Sequence, residues 1–477
     1  MQYHTLSLVE QAKKEVHVVA FGGSSPLAAI SHNDNIHLHC MPQFPRWAIL
    51  SVVPRVLLLV CKALFQLLAL LYVLLRAPWF EQILLQTPPC IPTFAVCKAV
   101  CLLRGCKLVI DWHNFGYTLL ALSLPEGSRA SRAMVAVAER YEKLFGRWCG
   151  DANLCVTQAM QRELGATWGV KADVLYDKPP QFFQPLSVED LHGLFVGLRD
   201  TLTEAMVSSR RRGRHQSIPF RSDGPSDPRA RPIPLHYSSH PSVLLQYRSM
   251  QHEKDCCALP RGKESNNGKL SQETLFTRSC AAPAGIGTRA RTGAMGAGIS
   301  LREDRPALIV SSTSWTPDED FGILLKAART YDAETQSDPS YPRLMIVITG
   351  KGPMREAFRA EISAAVFSKV AFRLAWLAME DYPRLVSAAD LGVSLHTSSS
   401  GLDLPMKAVD MLGCGVPVCS ANYDCIEELV RDGENGRLFR DARELADQFK
   451  VRMIGCVRCG WTGMGVRIPF HLHAFLL

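Results

Sequence analysis

Along most of this chain, short apolar runs alternate with stretches whose apolar residues recur at helical spacing. In the first half, "VHVVAFG" (Val16 to Gly22), "EQILLQT" (Glu81 to Thr87), "KLVIDWHN" (Lys107 to Asn114), "ANLCVT" (Ala152 to Thr157) and "ADVLYD" (Ala172 to Asp177) read as strands, with a helical pattern over Ala130 to Arg147. In the second half, "PALIVSSTS" (Pro306 to Ser314), "RLMIVITG" (Arg343 to Gly350) and "ADLGVSLH" (Ala389 to His396) each lead into a loop and then a helix. Strands of this kind, separated by helices, predict an α/β architecture with parallel sheets, in two Rossmann-like units.

One run is too long for a strand. "VLLLVCKALFQLLALLYVLL", Val56 to Leu75, is broken only by Lys62 and Gln66 and is followed by "RAPWF" with Trp79. Its 20 residues reach about 30 Å as a helix, the thickness of a bilayer's apolar core. A membrane span, a helix lying in the headgroup boundary and a helix buried between sheets all fit the pattern.

Charge sets a third region apart. The chain of 477 residues carries a formal +8, yet Ser208 to Ser300 hold 15 Lys and Arg against 6 Asp and Glu, a net +9 that leaves −1 for the rest. This stretch is rich in Arg, Gly, Pro and Ser, as in "RSDGPSDPRARP", and lacks sustained periodicity, so it is expected to be disordered or loosely attached. Aromatic residues scarcely interleave with its arginines, which disfavours nucleic acid as a partner.

The sixteen cysteines sit in apolar stretches such as "FAVCKAVCLLRGC" and follow no cleavable signal, which predicts reduced core residues facing the cytosol. Cys456 and Cys459 have CxxC spacing, but His471 and His473 are one residue apart where a zinc finger needs three to five, and no metal site is expected there. The absence of Walker A, HExxH and GxSxG patterns excludes the best-marked NTPases, zincins and α/β hydrolases.

Candidate chemistry lies in loops at the carboxyl ends of strands, where open α/β sheets take ligands. Three such loops in the second half are "SSTSWTPDED" (Ser311 to Asp320), "TGKGPMRE" (Thr349 to Glu356) and "HTSSSGLDLPMKAVDMLGCGVPV" (His396 to Val418). In the second, Gly350 and Gly352 allow backbone to come close to a ligand and Lys351 can neutralise phosphate. In the third, Pro405 suits the first turn of a helix. The N–H groups of Asp403 to Lys407, with Ser398, Ser399, Ser400 and Gly401 before them, form a candidate diphosphate site to which Lys407 adds charge. Asp410 as a carboxylate can accept from two ribose hydroxyls; Asp403 either reaches sugar hydroxyls or caps the helix.

Taken together, "VIDWHNFGY", "RYEKLFGRW", "VLYDKPPQFF", "VITGKGPMRE" and "ADLGVSLHTSSSGLDLPMKAVDMLGCGVPVC" resemble the chitobiosyldiphosphodolichol β-mannosyltransferase family. The resemblance implies a GT-B fold of two facing Rossmann-like domains with the active site in the cleft. Its parts would be an acceptor and membrane-associating domain over 1–200, the insert over 201–300, a nucleotide-sugar domain over 301–449 and an atypical tail over 450–477. The implied reaction is inverting transfer of mannose from GDP-mannose to the chitobiose of dolichyl diphosphate, at the cytosolic face of the endoplasmic reticulum membrane. No tightly bound cofactor is implied; a divalent cation such as Mg²⁺ is compatible with the diphosphate, and other mannosyltransferases of the dolichol pathway are candidate partners. Asp111 and His113, at the end of a strand, are the candidates for the base that inversion requires.

Some features depart from the family pattern. Its two acids are eight positions apart, whereas Asp403 precedes Asp410 by seven. "MQYHTLSL" reads as a first helix, so the strand, Gly-rich loop and anchor before it are expected to be absent, leaving an exposed sheet position. The insert is long, and the resemblance stops after Phe449. A second reading follows: a catalytically silent, membrane-associated relative that keeps its nucleotide-sugar module for interaction.

Overall fold

The computed structural model describes residues 2–22, 26–45, 55–125, 127–202, 273–280, 298–316 and 319–458. They divide into two compact units, the first holding 2–176 and Ser399–Asp403, the second 177–202, 273–398 and 404–458. The expected boundary near residue 200 therefore moves to about 176, because the helix Val188–Gly197 buries Leu194 and Phe195 in the core of the second unit.

In the first unit, β1 (Val16–Phe21) pairs in parallel with β2 (Ile36–Met41). A second parallel sheet runs in chain order through β3 (Gln82–Thr87), β4 (Lys107–Trp112), β5 (Ala152–Cys155) and β6 (Asp173–Val174). Among the described residues, β1 pairs only with β2, and β3 only with β4. Leu108, Ile110 and Trp112 of β4 are wholly buried, each contributing roughly 1.5–3 kcal/mol of transfer free energy. Cys90, Cys97, Cys101, Cys149 and Cys155 join the same core, as expected of small apolar side chains.

The long apolar run is the helix Arg55–Arg76. Leu70 and Leu74 on one side are buried against the first unit's core, and Arg104 holds its end by donating to the carbonyls of Leu75, Ala77 and Pro78 at 2.7, 3.0 and 2.8 Å. Leu57, Val60, Leu64, Leu68, Tyr72 and Leu75 form an exposed stripe at helical spacing, continued by Trp79 at 73% exposure. Only 17% of the helix's apolar window is buried, so the reading of a core helix between sheets does not hold.

The second unit is built on a six-stranded parallel sheet in the order β11–β10–β9–β12–β13–β14. The strands are β9 (Ala307–Ser312), β10 (Leu344–Thr349), β11 (Val370–Ala375), β12 (Leu391–Ser394), β13 (Val418–Ala421) and β14 (Gly436–Phe439). Alternate residues of β9 serve opposite cores, Ile309 one and Leu308 and Val310 the other, which is why these strands read as unbroken apolar runs.

Part of the insert departs from expectation. Residues 273–280 and 298–301 are ordered, with β7 (Thr277–Cys280) antiparallel to β8 (Gly298–Leu301). Phe276 is buried and stacks on Phe195 at 4.3 Å, and His192 Nδ1 lies 2.7 Å from the Thr277 hydroxyl. A short segment with one anchoring aromatic carries no periodicity to read. At the other end, the helix Ala442–Arg458 runs past Phe449 into the stretch assigned to the tail, and Lys450 pairs with Glu334 at 2.6 Å. Cys459, His471, His473 and the side chain of Cys456 lie outside the described residues.

Candidate functional site

In the second unit the chain reverses its direction of sheet growth between β9 and β12, neighbours in the sheet whose loops leave from the same carboxyl edge. This is the switch point at which parallel α/β sheets open a ligand crevice. A half-buried ion pair bridges it. Glu319, after β9, binds Lys407, after β12, with Nζ to Oε1 at 2.7 Å. Glu319 is 2% exposed and also accepts from the Ser314 N–H at 3.1 Å and from the Thr313 hydroxyl.

The loop after β10 is drawn against the loop after β9. Gly350 has φ +143°, and a Cβ there would meet the Thr313 carbonyl oxygen at 1.9 Å; a Cβ on Gly352 would meet that of Ser314 at the same distance. Trp315 fastens the pair, donating its indole N–H to the Gly350 carbonyl at 3.1 Å. The glycines are thus required by the approach of two loops of the chain itself. Lys351 lies over the ring of Trp376 at 4.6 Å.

Met406–Gly413 forms the expected helix, with Pro405 as its N-cap residue rather than in its first turn. Pro405, lacking a polar side chain, makes no side-chain cap hydrogen bond. Ala408 and Val409 donate to the Pro405 carbonyl, which leaves the N–H groups of Met406 and Lys407 as the outward donors of the first turn. Asp410 is 8% exposed, and burial pushes its carboxyl up to about 8. No described residue donates a hydrogen bond to it. In place of the carboxylate expected from sequence, the folded protein at neutral pH holds this group largely as the neutral acid, because burial disfavours the charge.

In the first unit, Asp111 ends β4 on the face opposite Trp112 and is 2% exposed. His113 Nε2 lies 2.8 Å from Asp111 Oδ2, and His4 Nε2, on the helix Gln2–Glu10, 3.4 Å from the same oxygen. Burial pushes the Asp111 carboxyl upward, but the His113 hydrogen bond and the charges of His113 and His4 outweigh it and hold the group below its ordinary value. The three side chains bring ligand atoms within 4.8 Å of one another, a spacing that a divalent cation could also use. The same strand end leads to Asn114, whose amide donates to Ser399 Oγ at 3.2 Å and to Asp403 Oδ1 at 3.0 Å. Thr118 adds a contact to Ser399 Oγ at 3.2 Å, Ser400 donates to Asp403 at 3.3 Å, and Thr157 donates to the Leu402 carbonyl at 2.6 Å.

The family model of glycosyl transferases group 1 matches residues 305–451. Chitobiosyldiphosphodolichol beta-mannosyltransferase of Mus musculus is 40% identical over 94% of this chain and 78% of its own, and that of Homo sapiens 38% over 94% and 81%. The chain belongs to this family. UDP-glycosyltransferase TURAN of Arabidopsis thaliana is 42% identical over 95% of this chain and 86% of its own. Among solved structures, an α,α-trehalose-phosphate synthase (UDP-forming) from Burkholderia vietnamiensis aligns with a TM-score of 0.47 at 9% identity, over 95% of this chain and 91% of that one.

As a chitobiosyldiphosphodolichol β-mannosyltransferase family member, the chain is a glycosyltransferase of GT-B type with parallel sheets in its α/β units. The structure brings Lys407, Asp410, Gly350, Lys351 and Gly352 to one edge of the second unit, with Ser398 ending β12's loop on that side. It assigns Ser399, Ser400, Gly401 and Asp403 to the first unit, where Asn114, Thr118 and Thr157 hold them. Glu319, His4 and Asn114 escaped the sequence reading. Only Glu319, an acid in a strand-end loop already singled out, carried a signal that could have flagged it.

Proposed function

We propose that this chain transfers mannose from GDP-mannose to the chitobiose of dolichyl diphosphate with inversion, at the cytosolic face of the endoplasmic reticulum membrane. The observation that carries the donor half is Asp410, a buried carboxyl with no hydrogen-bond partner among the described residues, at the switch point of a parallel sheet. A ribose diol satisfies it: one hydroxyl accepts from the acid or both donate to the carboxylate. The N–H groups of Met406 and Lys407 and the Lys407 ammonium, once shared between Glu319 and the ligand, take the diphosphate and its departing charge.

For the acceptor half, His113 is the base that takes the proton of the attacking hydroxyl. Asp111, buried behind it, positions the imidazole and stabilises the imidazolium that forms. Asp403 braces Asn114, in the loop after β4, and Ser400, in its own loop, rather than reaching the sugar. No step requires a metal, and any Mg²⁺ would serve the diphosphate alone. The exposed stripe of Arg55–Arg76 suits a helix that lies in the headgroup boundary with its other face on the protein, which supports surface attachment over a span. Such attachment would bring a lipid acceptor and other enzymes of the dolichol pathway to the same membrane.

The test is transfer of labelled mannose from GDP-mannose to phytanyl diphosphate chitobiose, with UDP-glucose as competing donor, because a relative's name specifies UDP. Product from GDP-mannose that is lost in Asp410→Ala and in His113→Ala supports the proposal. Transfer from UDP-glucose instead overturns the donor. A folded chain that binds GDP-mannose without turnover leaves the second reading, a silent module kept for interaction.

A further inference from the structure

The start of the β1–β2 pair carries a cluster that the transfer reaction leaves unused. Glu15 precedes β1, His17 lies in register with His37 of β2, and Val19 with His39. Alternation along both strands puts the three imidazoles on one face. His17 stacks on His37 with ring centroids 4.7 Å apart and on His39 at 5.1 Å. Glu15 Oε1 lies 2.8 Å from His37 Nε2 and 3.6 Å from His17 Nε2, and the ligand atoms of Glu15, His17 and His37 all fall within 4.8 Å of one another. Behind His17, its Nδ1 is 2.9 Å from His39 Nε2.

These separations are close enough for the three side chains to share one ion. Tetrahedral zinc with metal–nitrogen bonds of about 2.0–2.1 Å holds neighbouring ligand atoms about 3.3 Å apart. The observed 2.8 and 3.6 Å lie on either side of that value. Two imidazoles with one carboxylate select a borderline-soft transition ion over magnesium or calcium, which take oxygen cages. His39 supplies what ligating histidines usually have, a partner for the second ring nitrogen that fixes tautomer and orientation. Side-chain exposures of 43% for His37 and 64% for Glu15 leave an open path for entry and for a water as fourth ligand.

We propose that Glu15, His17 and His37 bind one divalent transition-metal ion of the zinc class, with His39 positioning His17. The ion ties β1 to β2 at the His17–His37 register and is independent of the sugar-transfer reaction.

The test takes the full chain, stripped of metal by chelator, through equilibrium dialysis against Zn²⁺ and titration with Co²⁺, whose visible bands report tetrahedral coordination. His37→Ala and Glu15→Gln, both at solvent-accessible side chains, are compared with the parent, and His113→Ala controls for the group around Asp111. The parent and His113→Ala should each hold one more equivalent of zinc than His37→Ala, with cobalt bands that vanish in His37→Ala. Glu15→Gln should weaken zinc by about tenfold or more. Equal zinc stoichiometry and an unchanged cobalt spectrum in His37→Ala and the parent would overturn the site.

Discussion

Asp410→Asn isolates the electrostatic cost of the donor pocket. The folded carboxyl is raised by burial from the ordinary 3.8 to about 8. A raised pKa means the folded state holds a proton that the unfolded state has released, so the stabilising effect of that proton is complete below pH 3.8 and is lost as pH rises through about 8. Between pH 5 and 7 the unfolded carboxyl is ionised and the folded one is not, and stability falls by about 1.4 kcal/mol per pH unit, or about 2.5 kcal/mol over the interval. Asparagine keeps the shape and has nothing to titrate, so the variant should lack this slope and gain on the parent as pH rises. Glu142, in the first unit, is also raised to about 8, chiefly by burial, and imposes a similar slope on both proteins, which is why the difference between them is the quantity to measure. Urea unfolding at pH 5, 6, 7 and 8, followed by tryptophan fluorescence, gives it, since Trp315 is fully buried in the same unit. A difference that stays flat from pH 5 to 8 means that Asp410 is ionised in the folded protein, and the reasoning from burial fails.

Four further outcomes follow from the geometry. Gly352→Ala should cost several kcal/mol and abolish GDP-mannose binding, because its Cβ would stand 1.9 Å from the Ser314 carbonyl oxygen; a wild-type melting temperature would show that the loops part easily. Lys407→Ala, by leaving Glu319 buried and unpaired, should destabilise by about 3 kcal/mol, and adding Glu319→Gln should restore much of that; additive losses in a double-mutant cycle would deny the coupling. The double change Leu64→Ser and Leu68→Ser should reduce binding to anionic vesicles while moving stability by less than about 0.5 kcal/mol, whereas Leu74→Ala should cost about 2–5 kcal/mol; vesicle binding that ignores the stripe would point to another attachment face. Asp111→Asn should lower kcat more than KM and shift the pH–rate profile of the transfer, as expected of a group that acts through His113; an unchanged profile would remove Asp111 from that role.

Much of the α/β order was legible from hydrophobic pattern alone. Strands buried on both faces, such as β9 and β10, are unbroken apolar runs, and Arg129–Cys149 shows its helical period plainly. β11, β13, β14 and the β7–β8 pair went unread: β7, β8 and β14 hold few apolar positions to count, β11 is interrupted by Arg373, and β13 is only four residues long. β2 went unread although it alternates: His37 and His39 look polar in a count yet are half-buried and stack with His17, while Leu38 and Cys40 are the exposed positions.

The candidate site divides along the same line. Sequence by itself singled out the candidate loops, since glycines, serines, a lysine and acids at the ends of apolar strands need no partner to be noticed, and it also determined the family, since the motifs match over most of the chain. Only tertiary structure decided what each group is doing, because the state of an ionisable side chain depends on its surroundings. Burial leaves Asp410 neutral, Glu319 from a distant loop holds Lys407, two imidazoles keep Asp111 ionised, and Asn114 donates to the Asp403 carboxylate. Except for His113, two residues from Asp111, these partners are brought in by chain folding from 88 or more residues away, distances over which local pattern carries no information.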